Sequence, residues 1–128
     1  MLTNAQAVTT LVTTDRGRTK RFYGDVLGLR LVMEVAEDMT LIYEAGKGSR
    51  IVLYQRDRPS GSDATSMGFV VDDVRATVRD LRARGVTFEE YDLPGLKTVD
   101  GIATMEGEEA AWFKDPDGNI LAIFSGPI

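Results

Sequence analysis

The feature that most constrains this chain is an internal repeat. A strand–helix–strand–strand–strand pattern runs through residues 5–57 and again through 66–126, at a spacing of about 57 residues. Val-Thr-Thr-Asp before the first helix is answered by Val-Val-Asp-Asp before the second. Val-Leu-Gly-Leu-Arg-Leu at the first helix end is answered by Arg-Ala-Arg-Gly-Val-Thr-Phe at the other. A module of this kind covers one sheet face with its helix and leaves the other needing a partner sheet or a ligand. The expected fold is therefore α+β: two tandem βαβββ modules forming a cupped, curved mixed sheet. The whole chain, 1–128, reads as a single domain, with the breaker-rich linker 58–65 (Arg58-Pro59-Ser60-Gly61-Ser62 onward) between the modules.

Within the first module, β-branched residues at 6–13 predict a strand, and Asp15 is a candidate cap for a helix over 16–27. Phe22 and Val26 share a face of that helix, and Gly28 stops it. Strands are expected at 29–35, 39–44 and 50–55, with a Gly46-Lys47-Gly48 turn before the last. In the second module, strand 66–71 leads to a helix that Asp72 or Asp73 caps and that runs to Arg84. Val74, Val78 and Leu81 lie on its apolar face and Arg75, Arg79 and Arg82 on the other. Gly85 ends it. A strand at 86–91 follows, then a loop with Pro94-Gly95 and Asp100-Gly101, then strands at 110–114 and 120–125 around an Asp115-Pro116-Asp117-Gly118 turn. Residues 93–101 occupy the place where a lid would be expected.

Composition narrows the chemistry. Cysteine and histidine are both absent, which removes disulfides, thiolate nucleophiles, imidazole bases and every Cys- or His-ligated metal centre. Any metal would sit on oxygen ligands. The formal net charge of −5 argues against nucleic acid as a partner. No apolar run approaches the ~18 residues of a membrane span, and the first residues lack the regions of a signal peptide. A cytoplasmic protein with no membrane partner is expected. The charge is uneven: residues 1–57 carry net +1 and residues 58–128 net −6. An acidic rim of that kind attracts a cationic ligand or is simply a solvated face.

Asp-Arg-Gly-Arg-Thr-Lys-Arg-Phe-Tyr-Gly-Asp-Val-Leu-Gly-Leu near the start and Trp-Phe-Lys-Asp-Pro-Asp-Gly-Asn-Ile-Leu near the end, in this order of elements, resemble the vicinal-oxygen-chelate superfamily. That group holds glyoxalase I, bleomycin-resistance proteins, fosfomycin-resistance enzymes and extradiol dioxygenases. The resemblance covers nearly the whole chain. Its motifs are structural: Phe22 is expected to pack under the sheet, Gly28 to take positive φ, and Pro116 and Gly118 to shape a tight turn. The family's metal ligands sit at four inward strand positions, which the resemblance places here at Val8, Val52, Ser66 and Ala122. Three are apolar and one is a lone hydroxyl, whereas a metal site needs several converging charged or basic ligands. The resemblance is therefore to the metal-free binding members; no metal, no cofactor, and no metal-dependent glyoxalase or dioxygenase activity are expected.

Strand alternation extends those four positions to a candidate ligand site. Thr10, Val12, Arg50, Val52, Tyr54, Ser66, Trp112, Ala122 and Phe124 are its proposed residues, and Gly68, Val70 and Ile120 share their phase. Tyr54, Trp112 and Phe124 would form an aromatic wall, or else fill the core themselves. Arg50 would anchor an anionic or carbonyl group, or else reach solvent. The leading expectation is a small-molecule binding protein with an apolar cup that sequesters an unidentified drug or metabolite. The alternative is a lyase or isomerase acting on a carbonyl compound, with Glu34, Glu44 or Glu106 as acid/base residues. A third reading is an interaction protein whose cup is packed shut. A twofold homodimer is expected, with the modules closing within one chain or between two.

Overall fold

The computed structural model describes residues 1–37 and 39–127. The chain divides into two compact units, Met1–Pro59 and Ser60–Ile128.

In the first unit, β1 (Thr9–Thr13), β2 (Arg30–Val35), β3 (Thr40–Glu44) and β4 (Arg50–Gln55) form one mixed sheet in the order β1-β4-β3-β2. β1 runs parallel to β4, and the other pairs are antiparallel. Helix α1 (Arg16–Lys20) begins where the sequence places it, because the Asp15 carboxylate accepts a hydrogen bond from the Arg18 amide at 3.1 Å. The buried Thr13 and Thr19 hydroxyls meet at 2.6 Å and tie the helix start to β1. From Arg21 to Val26 the helix widens to a π-turn, and the Leu27 amide donates to the Phe22 carbonyl. Each residue of a wider turn advances less around the axis. Tyr23, fully buried, therefore becomes the anchor, and Phe22, expected under the sheet, is only half-buried and packs edge-on against Tyr23. Tyr23, Leu11, Leu41, Tyr43, Ile51 and Leu53 form the core on the helix side. Gly28 takes φ 75°, as its place at the helix end requires.

The second unit carries a six-stranded sheet in the order β5-β10-β9-β8-β7-β6. Its strands are β5 (Thr65–Val70), β6 (Asp92–Leu93), β7 (Leu96–Val99), β8 (Ile102–Met105), β9 (Glu108–Lys114) and β10 (Ile120–Phe124). Again the first strand runs parallel to the last. Helix α2 (Val74–Ala83) is capped by Asp73, whose carboxylate accepts from the Ala76 amide. It buries Val74, Val78 and Leu81 as expected. Arg75 and Arg82, on its polar face, pair with Glu109 and Asp100.

Two sequence expectations fail in this unit. The strand expected at 86–91 is reduced to a single antiparallel bridge, Phe88 to Phe113. Val86 and Phe88 are buried, so the apolar alternation there marks a packed connection and not a ladder strand. The expected loop and lid at 93–101 are instead β6, β7 and two turns. Pro94-Gly95 links Leu93 to Leu96, and Asp100-Gly101 links Val99 to Ile102. Asp100 and Gly101 both have positive φ, at 53° and 81°, the conformation that favours a two-residue hairpin. Glu106-Gly107 does the same between β8 and β9. Asp-Gly between alternating segments is a hairpin signal that could have found β7 and β8. The counterpart of β2 in the repeat is therefore β8, and the β6–β7 hairpin is an addition.

Candidate functional site

In the first unit the sheet face opposite the helix carries every expected site residue of that half. Leu11 and Thr13 of β1 are buried, so Thr10 and Val12 point to the other face, in phase with Val8, which is 48% exposed. On β4, Ile51 and Leu53 are buried, while Arg50, Val52 and Tyr54 alternate with them. Register sets these side chains in rows: Thr10 beside Val52 beside Ile42, and Val12 beside Tyr54 beside Thr40. The guanidinium of Arg56 lies 5.9 Å from the Tyr54 ring centre. Ile42, Thr40 and Met33 were not among the expected site residues, although alternation against buried Leu41 and Tyr43 marks Ile42 and Thr40. A bulge between Leu31 and Met33 shifts the register of β2, and that irregularity hides Met33 from a period-two reading.

Glu44 and Arg50 also share this face, and Arg30 joins them through its register with Glu44. The Glu44 carboxylate receives Arg30 at 2.6 Å on Oε1 and Arg50 at 3.2 Å on Oε2. The hydrogen bond from Arg30, and then its charge and that of Arg50, hold the Glu44 carboxyl below its ordinary range. Arg50 is thus on the expected face and already ion-paired.

In the second unit the corresponding face holds Gly68 and Val70 of β5, Ile120, Ala122 and Phe124 of β10, and Trp112 of β9. Register places Gly68, Ala122 and Trp112 in one row and Val70, Phe124 and Ala110 in the next. The Phe124 ring lies across Gly68: a Cβ there would come within 2.5 Å of the ring edge. Glycine is what lets that ring come so close to the β5 backbone. Trp112 is half-buried and meets Tyr91 edge-on, with ring centres 5.5 Å apart. Burial and then the Glu89 carboxylate push the Tyr91 hydroxyl up. The sequence reading places Tyr91 on a strand that does not form, so it does not bring Tyr91 to Trp112. Ser66 falls at a bulge, since Ile120 pairs with Thr65 and Leu121 already with Met67. Its hydroxyl therefore sits outside the regular rows.

The divalent metal that the resemblance implies does not fit these residues. Val8, Val52, Ser66 and Ala122 offer a single hydroxyl among them, and among the described residues no three acidic side chains converge. The carboxylates proposed for acid/base work have other roles. Glu34 is held by Lys20 at 2.6 Å and Arg16 at 3.4 Å, and the Lys20 hydrogen bond lowers its pKa. Glu44 is clamped by two arginines. Each is a weak base, because its ionised form is the one its partners stabilise. Glu106 is an exposed turn residue. Glu90 accepts from the Thr98 hydroxyl at 2.6 Å and the Gly101 amide at 2.9 Å, which lowers its pKa and pins the β7–β8 turn.

A family model described as Glyoxalase/Bleomycin resistance protein/Dioxygenase superfamily matches residues 5–123. Among solved structures the chain is similar to a member of that superfamily from Sphaerobacter thermophilus, with 22% identity over 98% of this chain and 100% of that one, and a TM-score of 0.76. It is also similar to a fosfomycin resistance protein, FosX, from Listeria monocytogenes: 15% identity, 98% and 95% covered, TM-score 0.72. A lactoylglutathione lyase from Agrobacterium tumefaciens gives 20% identity, 96% and 94% covered, and a TM-score of 0.68. At such identities the likeness is one of fold. No curated protein sequence matches the chain significantly. A repeat read from the residues, two mixed sheets each closed by a parallel first and last strand, and a match over nearly the whole length agree: the chain belongs to the Glyoxalase/Bleomycin resistance protein/Dioxygenase superfamily.

Proposed function

We propose that the protein binds a small molecule with a substantial apolar body on a helix-free sheet face, without a metal, and sequesters it. The observation that carries this reading is the aromatic surface of the second unit: Trp112 paired with Tyr91 and Phe124 laid over Gly68. Such rings offer broad contact area at little conformational cost. The enzymatic alternative gains no support from the carboxylates, which are spent on ion pairs or lie in a turn.

Trp112 is the single tryptophan of the chain, so its fluorescence reports on this face directly. A thermal-shift screen of metabolites and antibiotics, fosfomycin and lactoylglutathione included, is expected to yield ligands that also change Trp112 emission. At about 100 times its Kd such a ligand adds roughly 2.7 kcal/mol of stability. Hits that leave Trp112 emission untouched, or a screen with no hits, would overturn the reading.

The same proposal includes a twofold dimer. Leu31 and Met33 on edge strand β2, and Val99 and Met105 in the second unit, are large apolar side chains at least 38% exposed. An isologous contact uses each such side chain twice. Sedimentation at micromolar concentration should give a species near twice 14.1 kDa; a single monomeric species would exclude it.

A further inference from the structure

The first unit has a helix-free face of its own, and the charges on that face point to a ligand class. We infer that its helix-free face selects ligands carrying one anionic group, such as a carboxylate, sulfonate or phosphonate, on an apolar body. The inference rests on the proposed binding function and adds the chemical class of the ligand.

Arg30, Glu44 and Arg50 stand side by side on β2, β3 and β4, on the face opposite the helix. Two guanidiniums share one carboxylate, Arg30 Nη2 meeting Oε1 and Arg50 Nη2 meeting Oε2. One carboxylate neutralises one guanidinium, so the row keeps one excess positive charge. Lys47, in the turn joining β3 to β4, adds another at the same end. The Arg50 side chain is 37% exposed and that of Arg30 68%, so both remain within reach of a ligand. In the next row inward Val52 stands beside Ile42, with Thr10 on the other side of Val52. A cationic end adjoining the apolar pair Val52 and Ile42 matches an amphipathic monoanion. Guanidinium forks suit planar or tetrahedral oxyanions through paired hydrogen bonds. This local balance runs against the overall charge of −5. Residues 1–57 by themselves carry net +1, and exposed charges act over about one Debye length, ~8 Å at physiological salt.

Three probes with one aromatic body separate the possibilities: 1-naphthoate, 1-naphthalenemethanol and 1-naphthylmethylammonium, titrated by calorimetry into the full chain. Naphthoate is expected to bind about tenfold more tightly than the alcohol, with the ammonium weakest. That preference should shrink as salt is raised. Arg50→Met should bring the naphthoate-to-alcohol ratio towards one, and Arg30→Met should lower it less. Glu44→Gln should raise the ratio, because it releases both guanidiniums from their shared partner. Alcohol binding without a naphthoate preference would overturn the anion inference while leaving the binding function standing. So would an ammonium preference, or an Arg50→Met variant that keeps the ratio. Binding of none of the three probes would remove both.

Discussion

Phe113→Ala should cost about 3–5 kcal/mol of folding stability, the usual range for removing a fully buried ring and leaving a cavity. Phe113 has no exposed surface. It sits at the centre of the second sheet, paired with Leu121 in register and joined to Phe88 through both the single bridge and an edge-to-face ring contact at 5.4 Å. The substitution removes the anchor that holds the segment after helix α2 onto β9. Urea unfolding should show a lower midpoint, and the melting temperature should fall by more than about 10 °C. Phe113→Leu keeps much of the volume and should cost far less. A loss under 1 kcal/mol for the alanine variant would show that this ring is not central to the core.

Asp115→Ala should cost roughly 3 kcal/mol, through polar satisfaction and not volume. The Asp115 side chain is buried and accepts from the amides of Asp117 and Asn119, both at 2.9 Å, and from Asn119 Nδ2 at 2.8 Å. Those bonds hold the turn between β9 and β10 closed, while Gly118 supplies φ 83°. Asp115→Asn tests the assignment. One amide oxygen can replace Oδ1 for the two backbone amides, but its NH2 then faces the NH2 of Asn119, donor against donor. Its stability should fall between wild type and alanine. Equal stability of all three proteins, by urea unfolding, would remove the role assigned to this carboxylate. The Asp-Pro-Asp-Gly-Asn motif thus marks a fold through its hydrogen bonds, which explains why it identifies a superfamily without identifying a reaction.

Much of this was legible in the residues alone. The repeat, both capped helices, their glycine stops and seven of the ten strands among the described residues follow from periodicity and turn chemistry, which act between neighbours in sequence. So does the side of each strand on which Thr10, Val12, Arg50, Val52 and Tyr54 lie, because alternation is fixed by the pleat. The tertiary structure decided what depends on partners distant in the chain. Val86–Tyr91 alternates like a strand but pairs only once, since Phe113 takes up Phe88 and Tyr91 turns to Trp112. Ser66 and Met33 shifted because bulges in β5 and β2 reset a register that sequence can only continue. Tyr23 replaced Phe22 as the anchor because hydrogen bonds chose the wider π-turn. Glu44 changed from a candidate base to the clamp between Arg30 and Arg50, because strand pairing brings together three residues from three strands. Local sequence fixes which way a side chain points; only the assembled sheet fixes what it meets there.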